Sequence, residues 1–179
     1  MEKRTDTKII VATGAESTGK TDLCRYLAQT LDIPWIPELA RGYVEQLGRP
    51  YTYDDVEKIA RQQIAEFQNT INQGHNAVLF DTDLIITKVW FDVVYGECPD
   101  WIPEAIRSHR ATLHLLCQPD IPWVADSVRE NGGPMREKLS EIYRNELETF
   151  GLPYVEIVGQ GDERRLMALD AVRNVIARP

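Results

Sequence analysis

Lys8-Ile-Ile-Val-Ala-Thr13, followed at once by Gly14-Ala-Glu-Ser-Thr-Gly-Lys-Thr21, is the stretch on which the fold of this chain turns. The first six residues form a short apolar run with β-branched side chains, the pattern of a strand buried on both faces. The next eight fit G-x-x-x-x-G-K-[ST]. From Lys20 the residues Leu23, Leu27 and Leu31 recur at helical spacing, and Pro34 lies just past the end. A strand, a Gly-rich turn and an amphipathic helix in succession are the setting in which this motif cradles phosphate. Glycines let the backbone curl so that successive amides point inward, and the helix adds its positive end. Gly14, Ala15, Glu16, Ser17, Thr18, Gly19, Lys20 and Thr21 are therefore the expected ATP-binding residues, with the Lys20 charge on the β- and γ-phosphates and the Thr21 hydroxyl placed to ligate Mg²⁺. A turn that merely joined a strand to a helix would not need Lys20 and Thr21 together.

The same alternation continues downstream. Trp35-Ile36 reads as a short second strand, and Leu39 to Leu47 as a helix ending at Gly48. Thr52 or Asp54 caps the next helix, whose apolar stripe is Val56, Ile59, Ala60, Ile64, Phe67 and Ile71. Ala77 to Phe80 is a buried strand that delivers Asp81-Thr82-Asp83 at its carboxyl end, ahead of an apolar helical stretch from Leu84 to Tyr95 that Gly96 and Pro99 break. Thr112 to Cys117 is a further strand, and Pro134 opens a helix with Met135, Leu139, Ile142, Tyr143, Leu147 and Phe150 inward. Tyr154 to Val158 is a last strand, and Asp162 caps a terminal helix with Leu166, Leu169, Val172 and Ile176 inward. Strands alternating with helices pair in parallel through right-handed crossovers, so the expected fold class is α/β, a parallel β-sheet flanked by helices. Ligands of such sheets sit beyond the carboxyl ends of the strands, which places the exits after Thr13, Ile36 and Phe80 along one crevice.

The chain has 179 residues, 28 acidic and 20 basic, and a net charge of -8. At roughly 150 residues per domain, one domain over 1–179 with one active site is expected. The acid excess and the lack of any Lys/Arg cluster argue against a nucleic acid polymer as partner. The longest apolar runs fall far short of the about 20 residues of a membrane span. Met1-Glu-Lys-Arg leads into Thr5-Asp6-Thr7 and not into a signal-type apolar region, so no membrane partner is expected. Cys24, Cys98 and Cys117 lie among apolar residues in no metal-like spacing, which suits buried reduced thiols in a cytoplasmic protein.

Several polar residues are candidates for chemistry. Asp81 follows four apolar residues at a strand end, the usual form of the acid that serves Mg²⁺ in phosphate-loop proteins, and a hard cation prefers its oxygens. Asp83 is open to three roles: helix cap, ligand of a substrate hydroxyl, or general base. Glu38 follows the second strand, with Arg41 three residues on. Either Glu38 accepts the proton of an attacking hydroxyl while Arg41 binds substrate, or the two form an exposed helical ion pair. Gln118 to Gly133 is a long segment with two prolines and two glycines, and Arg129 is its only basic residue. A loop of that length is usually functional, and a lid over a nucleotide needs a cation for the transferring phosphoryl group. The competing reading pairs Arg129 with Asp126 or Glu130. Trp35 and Trp123 lie near the expected cleft and are candidates to stack on a flat ring, whereas Trp90 and Trp101 read as packing. His75, His109 and His114 share no spacing for a metal site or a triad.

Gly14-Ala-Glu-Ser-Thr-Gly-Lys-Thr21, Glu38-Leu-Ala-Arg41, Phe80-Asp-Thr-Asp83, Trp123-Val-Ala-Asp-Ser-Val-Arg129 and Leu152-Pro-Tyr-Val-Glu-Ile157 together resemble the ribosylnicotinamide kinase domain of NadR-type NAD-biosynthesis proteins. The likeness runs in order over nearly the whole chain. It implies a P-loop NTPase fold of the nucleoside/nucleotide-kinase kind with a lid at about 118–133, ATP with Mg²⁺ at the phosphate loop, and a nucleoside-like small-molecule acceptor. Carried over, it makes Lys20, Glu38, Asp83 and Arg129 catalytic, Glu38, Arg41 and Asp83 substrate-side, Thr21 and Asp81 the metal groups, and the turn from Gly159 to Gly161 a neighbour of adenine. Two departures stand out. The adenylyltransferase domain that often precedes this kinase is not in these residues, and Pro37 and Leu39 flank Glu38 where ring-stacking aromatics are expected. The expected activity is transfer of the γ-phosphoryl group to a primary hydroxyl, with nicotinamide riboside as first acceptor. A kinase for another nucleoside or vitamin alcohol, and a regulatory ATPase with no acceptor, are the alternatives. Neither N-K-x-D, D-x-x-G nor L-S-G-G-Q occurs, which argues against GTPase switches and ABC-type ATPases.

Overall fold

A computed structural model describes residues 7–178. Five strands, β1 (Lys8–Thr13), β2 (Trp35–Ile36), β3 (Ala77–Asp81), β4 (Leu113–Cys117) and β5 (Tyr154–Ile157), form one sheet in the order β2-β3-β1-β4-β5. Every pairing is parallel, with Ile10 level with Leu79 on one side and Leu113 on the other. The helices are α1 (Lys20–Leu31), α2 (Leu39–Gln46), α3 (Tyr53–Asn72), α4 (Leu84–Tyr95), α5 (Trp101–Ser108), α6 (Pro134–Thr149) and α7 (Gly161–Ile176).

Both faces of the sheet are covered, which is why the strands read as continuous apolar runs. Ile10, Ala12, Leu79, Leu115 and Cys117 pack with Leu23 and Leu27 of α1 and with Ala168, Leu169 and Val172 of α7. On the opposite face, Ile9, Val11, Val78 and Phe80 meet Phe67 and Ile71 of α3, and Leu116 joins a larger cluster from α3, α4, α5 and α6. Period two along each strand thus sends alternate residues to two different helix layers.

The helix ends follow local chemistry. Thr52 caps α3 in a reciprocal capping box with Asp55, Asp83 caps α4 through the amide of Ile85, and Gly96 closes α4 in the left-handed conformation. Asp162 is not the cap of the terminal helix: α7 starts at Gly161 with Gln160 as its cap residue, so Asp162 lies in the first turn. The inward stripe of α7 also differs from expectation. Ala168, Leu169, Val172 and Val175 are buried, while Leu166 is 59% exposed. The eight-residue helix α5 follows the Gly96 and Pro99 breaks, held by Ile102 and Ile106 one turn apart in the core.

The chain leaves β1 toward β2 and β3 on one side and later reaches β4 and β5 on the other, so the carboxyl end of β1 lies at the point where the sheet order reverses. That is where ligands of open α/β sheets bind.

Candidate active site

The loop from Gly14 to Gly19 emerges at this point of reversal. Gly14 has φ 148° and lies so close to β4 that a Cβ there would sit 2.6 Å from the carbonyl oxygen of Cys117. Gly19, φ 75°, turns the chain into α1, and Ser17 is also left-handed at φ 56°. Such turns aim successive amides toward a common centre. The Lys20 ammonium lies along the loop and donates to the carbonyls of Gly14 at 3.0 Å and Ala15 at 2.7 Å.

At the exit of β3, the Thr21 hydroxyl donates to Asp81 Oδ2 at 2.6 Å, and Asp81 Oδ1 is buried with no hydrogen-bond partner. Burial pushes the Asp81 carboxyl up, against the Thr21 hydrogen bond and the Lys20 charge. A hydroxyl beside a buried carboxylate with a free oxygen is a donor set that fits a hard divalent cation. Among the described residues no group of three or more His, Cys, Asp or Glu side chains is arranged to hold a metal ion. Thr82 is held at φ 72°, a strained setting for a β-branched residue and one that clusters at functional sites.

A cleft of about 440 Å³ opens over the loop. Lys20, Thr21, Glu38, Arg41 and Arg129 all line it, with an apolar flank that includes Trp90 and Val93 of α4. Glu38, just before α2, is half-buried. Burial is the largest influence on its carboxyl and raises it; Lys20 and Arg41 pull it down, and Asp81 and Glu16 add to the rise. Asp83 lines an adjoining recess of about 40 Å³ with Pro37, Leu39, Phe67 and Phe80. Its two oxygens are engaged, Oδ1 by the Ile85 amide at 3.0 Å and Oδ2 by fully buried His114 at 2.8 Å. A carboxylate occupied as cap and as partner of a core histidine is poorly placed to take a further proton.

The segment 118–133 carries no helix or strand and lies across the cleft. Arg41 donates to Asp126 at 2.7 Å. Burial pulls the Asp126 carboxyl up, but the Arg41 bond and the amides of Val128 and Arg129 outweigh it and hold it at about 2. Arg129 lines the cleft and also bonds within its own segment, to Asp126 at 3.2 Å and to the Val124 carbonyl. Both sequence readings of Arg129 therefore describe part of its position. The Trp35 and Trp123 expectation is not met by the geometry: neither lines the cleft or the recess. Trp35 faces the α1 side of the sheet, and Trp123 packs on Gly132 and Arg136. Trp90 packs against the core and Tyr51, as its reading as packing expects, and is also on the cleft wall. The turn at Gly159 is bound to Asp120 through its amide at 2.6 Å and lies outside both cavities.

Two arginines escaped the sequence reading. Arg164 of α7 is 5% exposed and donates to Thr18 and Gln118 carbonyls at 2.7 and 3.0 Å and to Asp120 at 2.8 Å. Arg136 of α6 donates to the carbonyls of Ser17 at 2.8 Å and Ile121 at 3.0 Å. Carbonyls drawn outward to guanidinium groups leave the loop amides facing in. Arg164→Ala strands several buried acceptors at once and is expected to lower stability by about 3 kcal/mol, read from urea unfolding; a loss below about 1 kcal/mol would show that water replaces it freely.

Residues 9–164 match a family described as an AAA domain. The trifunctional NAD biosynthesis/regulator protein NadR of Escherichia coli (strain K12) is 25% identical over 175 residues, which cover 94% of this chain and 43% of that protein. The corresponding protein of Salmonella typhimurium is 27% identical over the same shares. The chain thus spans less than half the length of these two relatives. A crystal structure of NadR protein in complex with NR has a TM-score of 0.80 at 26% identity, covering 97% of this chain and 52% of that chain. Thymidylate kinase from Ehrlichia chaffeensis, at 10% identity and a TM-score of 0.70 over 93% of this chain and 98% of that chain, shares the fold.

Proposed function

The chain belongs to the AAA domain family, and from that premise we propose that it is an ATP-dependent kinase acting on the primary hydroxyl of a nucleoside-like acceptor, with nicotinamide riboside favoured by the likeness to NadR in complex with NR. The observation that carries this reading is a phosphate loop, a Thr21–Asp81 pair and the half-buried carboxylate of Glu38 converging at one cleft.

In the step itself the acceptor oxygen forms a bond to the γ-phosphorus, the bond from that phosphorus to the bridging oxygen of ADP breaks, and the hydroxyl proton passes to Glu38. Glu38 suits this role because burial raises its affinity for a proton while leaving it on the cleft wall. The loop amides and Lys20 bind the phosphates, and Arg41 orients the acceptor from α2. Thr21 and Asp81 would hold Mg²⁺, which when bound supplies charge neutralisation to the phosphates. Arg129, on the lid formed by residues 118–133, reaches the transferring group by exchanging Asp126 for it. The apolar flank of the cleft, with Trp90 and Val93, offers the acceptor ring a packing surface in place of the aromatic neighbours of Glu38 that the family pattern suggests.

The test is incubation with Mg-ATP and a panel of nucleosides and vitamin alcohols, following ADP and phosphorylated product. Nicotinamide riboside is expected to give stoichiometric ADP and nicotinamide mononucleotide. ADP formation that no acceptor stimulates would replace the kinase by an ATPase, and product from a deoxynucleoside alone would keep the reaction and change the substrate.

A further inference from the structure

Glu16 is the one carboxylate within the phosphate loop, and the generic motif does not ask for it. An acidic group beside bound phosphates repels them, so a second role is needed to account for where it points. Its two oxygens accept the amide of Glu130, at 3.3 and 3.0 Å, and Oε2 also accepts the amide of Asn131 at 2.6 Å. Two successive backbone amides on one carboxylate form a small anion nest. Next in the loop, Ser17 Oγ accepts the amide of Val124 at 2.9 Å, and the Ser17 carbonyl shares Arg136 with that of Ile121. The segment 121–131 is therefore fastened to the loop at both of its ends, and Arg129 stands next to the amides that Glu16 holds.

We propose that Glu16 is a positioning residue that fastens the lid to the phosphate loop, sets Arg129 in the cleft, and so couples ATP cleavage to the acceptor hydroxyl in preference to water. The proposal rests on the kinase reading given above. Ser17 and Arg136 hold the start of this segment, and the Glu16 contact holds its far end, next to Arg129, against the phosphate loop. Without it the lid opens more often, water enters, and the γ-phosphoryl group is lost to hydrolysis.

The test compares wild type with Glu16→Ala and Glu16→Gln. Glu16→Gln keeps a carbonyl acceptor for the two amides. Loss of a charge-assisted contact in Glu16→Ala is expected to raise hydrogen exchange at the Glu130 and Asn131 amides about tenfold or more. It should lower kcat for transfer by about tenfold and raise the ratio of acceptor-independent ADP to phosphorylated product by a similar factor, with KM for ATP changed less than about threefold. Glu16→Gln should recover most of both. Thermal unfolding of Glu16→Ala is expected to match wild type, since the side chain lies at the cleft. If Glu16→Ala does not fold, Asn131→Pro, which deletes one of the donors from the lid side, carries the same kinetic expectations, with exchange read at the Glu130 amide alone. Unchanged exchange at residues 130 and 131 overturns the latch. Equal impairment of both Glu16 variants with a raised KM for ATP overturns it as well, because the charge would then act on the nucleotide. If wild type phosphorylates no acceptor, the kinase reading falls, while the exchange measurement still decides whether the latch exists.

Discussion

Lys20→Ala is expected to reduce kcat for phosphoryl transfer by about 10²–10³-fold while the fold stays intact. The ammonium bonds the carbonyls of Gly14 and Ala15, a position from which a short rotation about its side chain brings it to phosphate. Charge that grows on the phosphoryl oxygens in the transition state meets a full positive charge there, in a cleft walled by α2, α4 and the lid. The two lost hydrogen bonds lie at the cleft, where water substitutes, so stability should fall by only about 1–2 kcal/mol. A second readout is specific to this site. Lys20 is the strongest group pulling the Glu38 carboxyl down against burial. Removing it should move the acid limb of the residual kcat/KM profile to higher pH. Lys20→Arg keeps the charge but places a wider planar group in a loop closed against β4, and is expected to recover little. Near-normal turnover in Lys20→Ala would refute the phosphate-loop assignment.

The strand-loop-helix unit from Lys8 to Leu31 was legible because each of its signals is local. An apolar run, glycines where the backbone must turn left-handed, and leucines at helical spacing all specify the same geometry without reference to the rest of the chain. Legibility fails where a residue's role depends on which of two layers it faces. Leu166 lies at helical spacing from Leu169 yet faces solvent, and Arg164 shares the true inward stripe with Ala168, Val172 and Val175. Arg136 in the same way shares a stripe with Leu139, Tyr143 and Leu147. An arginine on the inward face of the first turn of a helix, where that turn abuts the carboxyl edge of the sheet, was the signal available. Trp35 and Ile36 show the same dependence on a smaller scale: period two sends one to the α1 layer and the other to the recess beside Asp83. The helix α5, anchored by only two core residues, offers too short a pattern to be read from spacing. Asp83 was open to three roles because the sequence does not show His114, which lies 31 residues away and fills its second oxygen.

Glu38→Gln is expected to lower kcat by about 10²-fold or more while leaving the protein as stable as wild type at neutral pH, or more so. The direction follows from the sign of the shift. Burial raises the Glu38 carboxyl, so the native state favours its protonated form. The stability contributed by that preference is fully present below the ordinary glutamate range and is lost as pH rises through the raised value. At neutral pH wild type therefore carries a buried charge at a net cost to folding, and the neutral amide removes it. The stability difference between variant and wild type should widen from about pH 4 to pH 7, measured by thermal or urea unfolding. The activity runs the opposite way, because only the deprotonated carboxylate accepts the acceptor's proton. Wild-type kcat/KM should fall with unit slope as pH drops through a value above the ordinary glutamate range, and the Glu38→Gln profile should lack that limb. Turnover retained in Glu38→Gln with the acid limb unchanged would exclude Glu38 as the base. Asp83 would then have to release either the Ile85 amide or His114 to serve, and Asp83→Asn would become the deciding variant. A residue that costs stability at the pH where it works is what a functional carboxylate in a half-closed cleft should be, and Glu57, paired with Arg61 outside the cleft, shifts the other way.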